Sequence, residues 1–555
     1  IERVEVMRGG GSALFGSSAI AGTINIITKE PLRNSGQLSH TITGVGGTSS
    51  WDNSTTMNAS LVTDNSKAGL YIFGQNRERS GYDSDGDGFT ELPKLKNQTV
   101  GFRSFLKTSA YSKLTFEYHH LQEFRRGGDL LNRPPHEANI AEQLRHSINS
   151  GGLKFDYFSP DEKHRLSVYA SAQHIGRDSY YGGNQDLNAY GATKDFTWVA
   201  GSQYIYHFDR CLFMPSDLTG GVEYNQDNLK DDMWGYNRYT NQKVRIAGAF
   251  FQNEWRNRQW SILLGGRLDK HNLINHVIFS PRANIRFNPV ENVNLRASYS
   301  VGFRAPQAFD EDLHIENVGG TISMIELADN LKEEKSQSFS VSADVYHRWG
   351  AFQGNFLLEG FYTNLSDVFA LREIGVRDGT IINERYNEKG AKVYGLTLEG
   401  KIAYLSLLQL QAGITLQKAD YKNARTWSDD ETVPMEKRIF RTPDTYGYFT
   451  LTYNPLKSLL VALSGTYTGS MLVEHKAGYI EKDIAVNTPD FWELNLKVGY
   501  DFTVYKNIGI QLNAGVRNIF NAYQKDFDRG GKRDSGYIYG PGMPRSYFAG
   551  VKISY

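Results

Sequence analysis

The chain has 555 residues, and its 61 Lys and Arg balance 61 Asp and Glu, so no polyanion-binding surface or nucleic-acid partner is indicated. Mean hydropathy is −0.48 and no run of 18 apolar residues occurs; helical membrane spans are therefore excluded, but not a strand barrel, which meets lipid only at alternate residues. Cys211 is the single cysteine, so no intrachain disulfide forms.

In chain order, Ile1, Val4, Val6 and Met7 mark a short strand, followed by the turn Arg8-Gly9-Gly10-Gly11-Ser12 and a run of small residues to Gly22. Thr23-Ile24-Asn25-Ile26-Ile27-Thr28 reads as a second strand. This strand–turn–strand reads as the tail of a domain that begins upstream.

From residue 35 onward the pattern changes to period 2. Leu114, Phe116 and Tyr118 alternate with Thr115, Glu117 and His119. Val293 to Val301, Phe339 to Val345 and Ile508 to Val516 alternate in the same way. Such strands suit a barrel with lipid outside and water inside, and equally a soluble sandwich. The 33 Tyr and 30 Phe would furnish aromatic girdles in the first case and cross-strand pairs in the second.

The connections separate the two. Short polar turns at 63–67, 108–112, 159–163, 257–259, 288–292, 454–457 and 504–507 alternate with long Gly-, Asp- and Tyr-rich stretches. The long ones fall near 78–96, 126–145, 178–192, 229–242, 304–334, 368–390, 420–443, 471–489 and 520–545. Short turns on one side and long loops on the other mark an outer-membrane barrel. Strand starts near 36, 51, 67, 97, 113, 146, 164, 193, 218, 243, 260, 277, 293, 335, 352, 391, 407, 444, 458, 490, 507 and 546 give 22 strands, a number associated with plugged transporters. The last one alternates through Tyr547, Ala549, Val551 and Ile553 to Tyr555.

Among candidate sites, Asp83-Ser84-Asp85-Gly86-Asp87-Gly88-Phe89-Thr90-Glu91 is the sharpest. Aspartates at positions 1, 3 and 5 and Gly at 6 curl a loop so that hard oxygens converge on Ca²⁺, with Glu91 at position 9. Position 12 is Lys94 and no helices flank the motif, so an acidic solvated hairpin tip is the alternative. Loop aromatics Tyr180, Tyr181, Tyr190, Trp234, Tyr236, Tyr239 and Trp427 would stack on a ligand or partner, or else cap strands and join the upper girdle. A zinc motif and a nucleophile elbow are both lacking, so no enzyme is indicated. Gly44-Val45-Gly46-Gly47 lacks the strand–helix context of a nucleotide loop and reads as a hairpin.

The opening residues resemble the plug-domain end of TonB-dependent outer-membrane receptors, usually worded close to IERIEVLRGPxSALYGSxAIGGVINIITK. Two further segments are similar to that family: Val516-Arg517-Asn518-Ile519-Phe520-Asn521 with Gly540-Pro541-Gly542-Met543-Pro544-Arg545, and Gly302-Phe303-Arg304-Ala305-Pro306 with Ala328-Asp329-Asn330-Leu331-Lys332. The resemblance implies an all-β protein of the Gram-negative outer membrane. Residues 1–34 would be the C-terminal part of a plug and 35–555 a 22-stranded antiparallel transmembrane barrel around it. It implies active import of a scarce, bulky ligand, energised by TonB-ExbB-ExbD through an N-terminal box not among these residues. Outer-membrane lipids, the barrel-assembly machinery and a surface lipoprotein lid are the other implied partners, with Tyr555 as the assembly signal. Arg3, Glu5 and Arg8 would seat the plug against lumenal carboxylates such as Glu399, or stand solvated in the lumen. The loop wording, including GYDSDGDGFTELPKLKNQTVGFRSFLK, EYHHLQEFRRGGDLL and FRAPQAFDEDLHIENVGG, looks most like the cobalamin-receptor branch of Bacteroidota. Vitamin B12 receptors of the family bind Ca²⁺ with aspartate-rich external loops; haem and iron-siderophore receptors are the alternatives within the fold. Haem receptors carry an axial His between the second pair of boxes, which here is His314. A passive porin is the alternative of another class.

Overall fold

The computed structural model describes residues 2–8, 11–16, 19–20, 22–307, 316–318, 321–377, 380–428, 430–505 and 507–555. Residues 35–554 form a closed antiparallel barrel of 22 long strands. Each pairs with its neighbours in sequence, and the first, Ser35–Val45, closes the ring against the last, Ser546–Ser554, from Gln37↔Ser554 to Val45↔Ser546. Gly36 and Tyr555 extend this seam by exchanging backbone hydrogen bonds of 2.9 and 3.0 Å. Closure leaves no unpaired strand edge in the apolar layer, where a free N–H or C=O would have no water to bond.

Period 2 sets the wall's two faces. Leu38, Ile42, Val222, Phe251, Leu264, Leu268, Val341, Leu358 and Leu396 are exposed apolar side chains on the outer surface. The intervening residues line the lumen with polar groups: Arg267 donates to Asp269 (2.8 Å) and Glu223 (3.0 Å), and Tyr169 donates to Glu223 (2.5 Å). Several glycines accept an aromatic ring from the adjoining strand. A Cβ on Gly69 would lie 2.3 Å from Phe105 and one on Gly465 would lie 2.2 Å from Phe449, so a larger residue at either position would displace the ring.

Most strands begin within a residue of the expected positions. Five start three to seven residues early. Those at Thr90, Ile140, Tyr190 and Arg238, against the expected 97, 146, 193 and 243, follow external loops; that at Met214, against 218, follows the short turn at Leu212 and Phe213 on the opposite side. Above the lipid both faces of a strand are wet, so the apolar alternation stops while the backbone ladder continues. The loops are also more structured than their composition implies. Thr321–Leu327 pairs in parallel with Thr380–Glu388, joining two loops into a four-stranded sheet, and Leu472–His475 pairs with Ile484–Asn487 in a hairpin.

Inside the ring, Arg3–Arg8 pairs with Gly22–Ile27, and the short helix Ser12–Phe15 lies between them. This segment packs on inward-facing wall residues. Ser12 Oγ accepts from the Phe303 N–H (3.1 Å), Ser336 donates to the Ile20 carbonyl (2.6 Å), and Lys113 donates to Glu30 (2.6 Å). Gly302 permits the approach: a Cβ there would stand 2.5 Å from the Ala19 carbonyl oxygen.

Candidate functional site

Long loops crown one end of the barrel, and the lumenal segment lies below them. Asp83, Asp85 and Asp87 converge as their spacing implied, with ligand oxygens all within 4.8 Å of one another. Asx-type bonds shape the turn: Asp83 accepts from the N–H groups of Gly86 (2.7 Å) and Gly88 (2.8 Å), and Asp87 from Phe89 (2.9 Å). Glu91 does not join them. Its carboxylate accepts from the Ser84 N–H (2.6 Å) and from Arg533 (3.2 Å). Arg533 also pairs with Asp87 and lies 4.6 Å over the Phe89 ring, and Arg529 stands 3.1 Å from Asp85. Two guanidiniums from the last external loop thus neutralise the acidic tip. Three aspartates fit a hard cation, but the fourth expected ligand is committed elsewhere, and a cation would compete with Arg529 and Arg533.

Burial opposes ionisation of Asp87, but the N–H groups of Gly530 and Phe89 and the Arg533 charge outweigh it and hold the carboxyl below its usual range. Next to this clasp is a second one. His475 pairs with Asp528 (2.9 Å) and stacks on Tyr537 at 3.7 Å between ring centroids, with both His475 and Asp528 buried. Tyr537 (2.7 Å) and Tyr539 (2.5 Å) both donate to Asp526. Burial first, then these bonds to a carboxylate, push both phenols far above their ordinary range.

The loop aromatics divide into structural and exposed ones. Tyr180 is 1% exposed and Tyr181 is 6% exposed, against the expectation that they face a ligand. Tyr180 donates to the Asp186 carbonyl (2.9 Å) and packs edge-on against Tyr190, while Tyr236 donates to the Asp186 carboxylate (2.6 Å). These three bind neighbouring loops together. Trp427 is likewise engaged, donating to the Pro434 carbonyl with Lys476 over its ring. Trp234 (54%) and Tyr239 (61%) do project into solvent. His314 and the Arg8 side chain lie outside the described residues. Arg3 and Glu5 pair with each other at 2.7 Å on the solvated face of their own sheet; the described seating contacts come instead from Ser12, Ile20, Thr28 and Glu30. Arg529, Arg533, His475, Asp528 and Arg267 were not singled out from the sequence, because their partners lie far away along the chain. The unusual density of Asp and Arg in 526–534 was the one local hint.

A family model described as TonB dependent receptor-like, beta-barrel matches residues 31–519. The chain belongs to that family. It is an outer-membrane β-barrel. The catecholate siderophore receptor Fiu of Escherichia coli K12 is 26% identical over 272 residues, 48% of this chain and 31% of Fiu. An iron-regulated outer membrane virulence protein of Vibrio cholerae is 26% identical over 322 residues, 55% of this chain and 45% of that protein. The matched stretches therefore span less than half of these relatives. Among solved structures, a variant of the ferric enterobactin receptor PfeA of Pseudomonas aeruginosa superposes with a TM-score of 0.78 at 16% identity, covering 100% of this chain and 85% of that one. The siderophore receptor PirA of Acinetobacter baumannii gives 0.77 at 16%, with 100% and 85% covered. At that identity the likeness is one of fold.

Proposed function

We propose that this receptor imports a ferric siderophore of the catecholate class, with TonB supplying the energy. The observation that carries the proposal is the 26% identity to a receptor named for catecholate siderophores, joined by a second relative named for iron regulation. The structure is compatible with it: a wide closed ring, a lumenal segment seated on the inner wall, and a crown where Trp234 offers an exposed ring to a flat aromatic ligand. The corrinoid expectation rests on loop wording alone, and neither relative is named for a corrinoid, so the siderophore alternative takes its place. The acidic tip, clasped by two arginines, does not require Ca²⁺ in this reading.

Calorimetry of the full-length receptor in detergent, titrated separately with ferric enterobactin, haem and cyanocobalamin, tests the proposal. Saturable heat with the ferric catecholate and none with the other two is the expected result. Saturation by cyanocobalamin alone would restore the corrinoid reading and end this one.

A further inference from the structure

The outer wall carries a basic patch where the apolar band ends on the loop side. Four consecutive strands build it: Tyr190–Cys211, Met214–Met233, Arg238–Arg256 and Trp260–His271. Their outward positions follow from the alternation of burial. Val244, Ile246 and Gly248 are buried on the inner side while Lys243, Arg245 and Ala247 are exposed; Arg267, Asp269 and His271 are buried while Leu268 and Lys270 are exposed.

Register then aligns the outward residues across strands. Lys194 stands opposite Lys230, and Lys230 opposite Asn241. In the next row toward the membrane Phe196, Asn228 and Lys243 are partners, followed by Trp198, Gln226 and Arg245. Ala247 pairs with Lys270 one row further down, beside the lipid-facing Leu268 and Val222. Rows are about 7 Å apart and strands about 4.8 Å, so five cations share one small area. Two lysines directly opposite each other repel. Among the described residues no ion pair involves Lys194, Lys230, Lys243 or Arg245. The acidic residues of this outward face, Asp178 and Asp232, lie in the row beyond Lys194 and Lys230, away from the membrane.

We propose that this patch is a docking site for the phosphate groups of an anionic lipid of the outer leaflet. Charge complementarity and position both single out that occupant. The cations sit at the upper margin of the lipid-facing surface, where headgroup phosphates lie. Phe196, Trp198 and Tyr224 stand among them as an interfacial girdle, with Trp198 and Tyr224 packed at 5.1 Å. A cavity of about 540 Å³ adjoins the patch, lined by Tyr239, Asn241 and Lys243 of the wall and by Leu327, Asp329 and Leu331 of the long loop. Its loop side therefore offers a carboxylate for sugar hydroxyls, while the cations lie on the strand side. It can take the sugar portion of a glycolipid while Lys243 and Arg245 hold its phosphate by charge-assisted hydrogen bonds. The proposal is independent of which ligand the receptor imports.

Native mass spectrometry of the detergent-solubilised receptor tests it, using lipid A with both phosphates and its dephosphorylated form as probes. The wild type is expected to retain the phosphorylated lipid preferentially. The quadruple variant K194Q/K230Q/K243Q/R245Q should lose that preference by at least about tenfold, since each surface cation adds to the attraction. Heat-modifiable migration on a gel confirms that the variant barrel is folded. K392Q/K418Q, which removes two other exposed outward lysines, should retain lipid as the wild type does. Equal retention of both lipids by the wild type overturns the proposal. So does a quadruple variant that keeps its preference, or a K392Q/K418Q variant that loses as much.

Discussion

Arg533 Nη1 stands 3.2 Å from Glu91 Oε1 across 442 residues of sequence, joining the last external loop to the second. The side chain of Glu91 is 1% exposed and that of Arg533 10%. Removing the arginine would leave a buried carboxylate without its counter-charge, at a cost of about 3 kcal/mol. Arg533→Ala should therefore loosen loop 518–545 without opening the barrel. Limited proteolysis should show faster cleavage there and unchanged heat-modifiable migration; unchanged cleavage would count against the clasp.

The same clasp has a defined pH dependence. The folded pKa of Asp87 is held below its ordinary 3.8, so the carboxylate binds fewer protons in the folded state. Its stabilising contribution is fully present above pH 3.8 and is lost as pH falls through the lowered folded value. Glu91, the other carboxylate on Arg533, is pushed above its ordinary 4.5 by burial and so protonates first. In a Glu91→Gln variant, hydrogen exchange in 526–534, after correction for intrinsic rates, should therefore be flat near neutral pH and accelerate only in strong acid as Asp87 protonates. Acceleration already near pH 6 would assign the change to another group.

Tyr537 and Tyr539 share the Asp526 carboxylate, and Tyr537 also stacks on His475. Tyr537→Phe keeps the stack and removes one hydrogen bond, a loss of about 1–2 kcal/mol. His475→Ala removes both the stack and a partner of buried Asp528. The second variant is expected to raise exchange in 524–539 more than the first. The reverse order would show that the Tyr537 hydroxyl, not the histidine, organises the loop.

Gly302 lies where the wall meets the lumenal segment. Gly302→Val would put its Cβ about 2.5 Å from the Ala19 carbonyl, well inside contact distance. Backbone cannot yield as a flexible side chain can, so the segment should lift from the wall. Planar-bilayer recordings should show higher conductance than the wild type, with barrel strands still protected from exchange. Wild-type conductance would mean that the segment is held chiefly elsewhere, for instance at Lys113 and Glu30.

Strand number, order and the two faces of the wall were legible in the sequence because each depends on a local period. A residue two places along a strand meets the same phase, lipid or lumen, so alternation records the environment directly. The expected starts at 260, 293, 352, 391 and 546 are those of the structure. The starts at 97 and 146 missed because beyond the membrane that record ends while the ladder runs on. The curl of Asp83, Asp85 and Asp87 was legible for the same local reason.

Loop contacts have no such period. Nothing around Tyr180 distinguishes a tyrosine that greets a ligand from one that closes over Ala138 and Ala189. Glu91 continued a metal-loop spacing, yet its carboxylate turns to Arg533, a group brought beside it only because the ring closes through Ser35–Val45 and Ser546–Ser554. The sequence by itself determined the barrel, its count and its sidedness. Tertiary structure alone decided which loops clasp one another, which aromatics stay exposed, and which cations gather in register at the membrane margin, because those depend on closure and strand register rather than on neighbours along the chain.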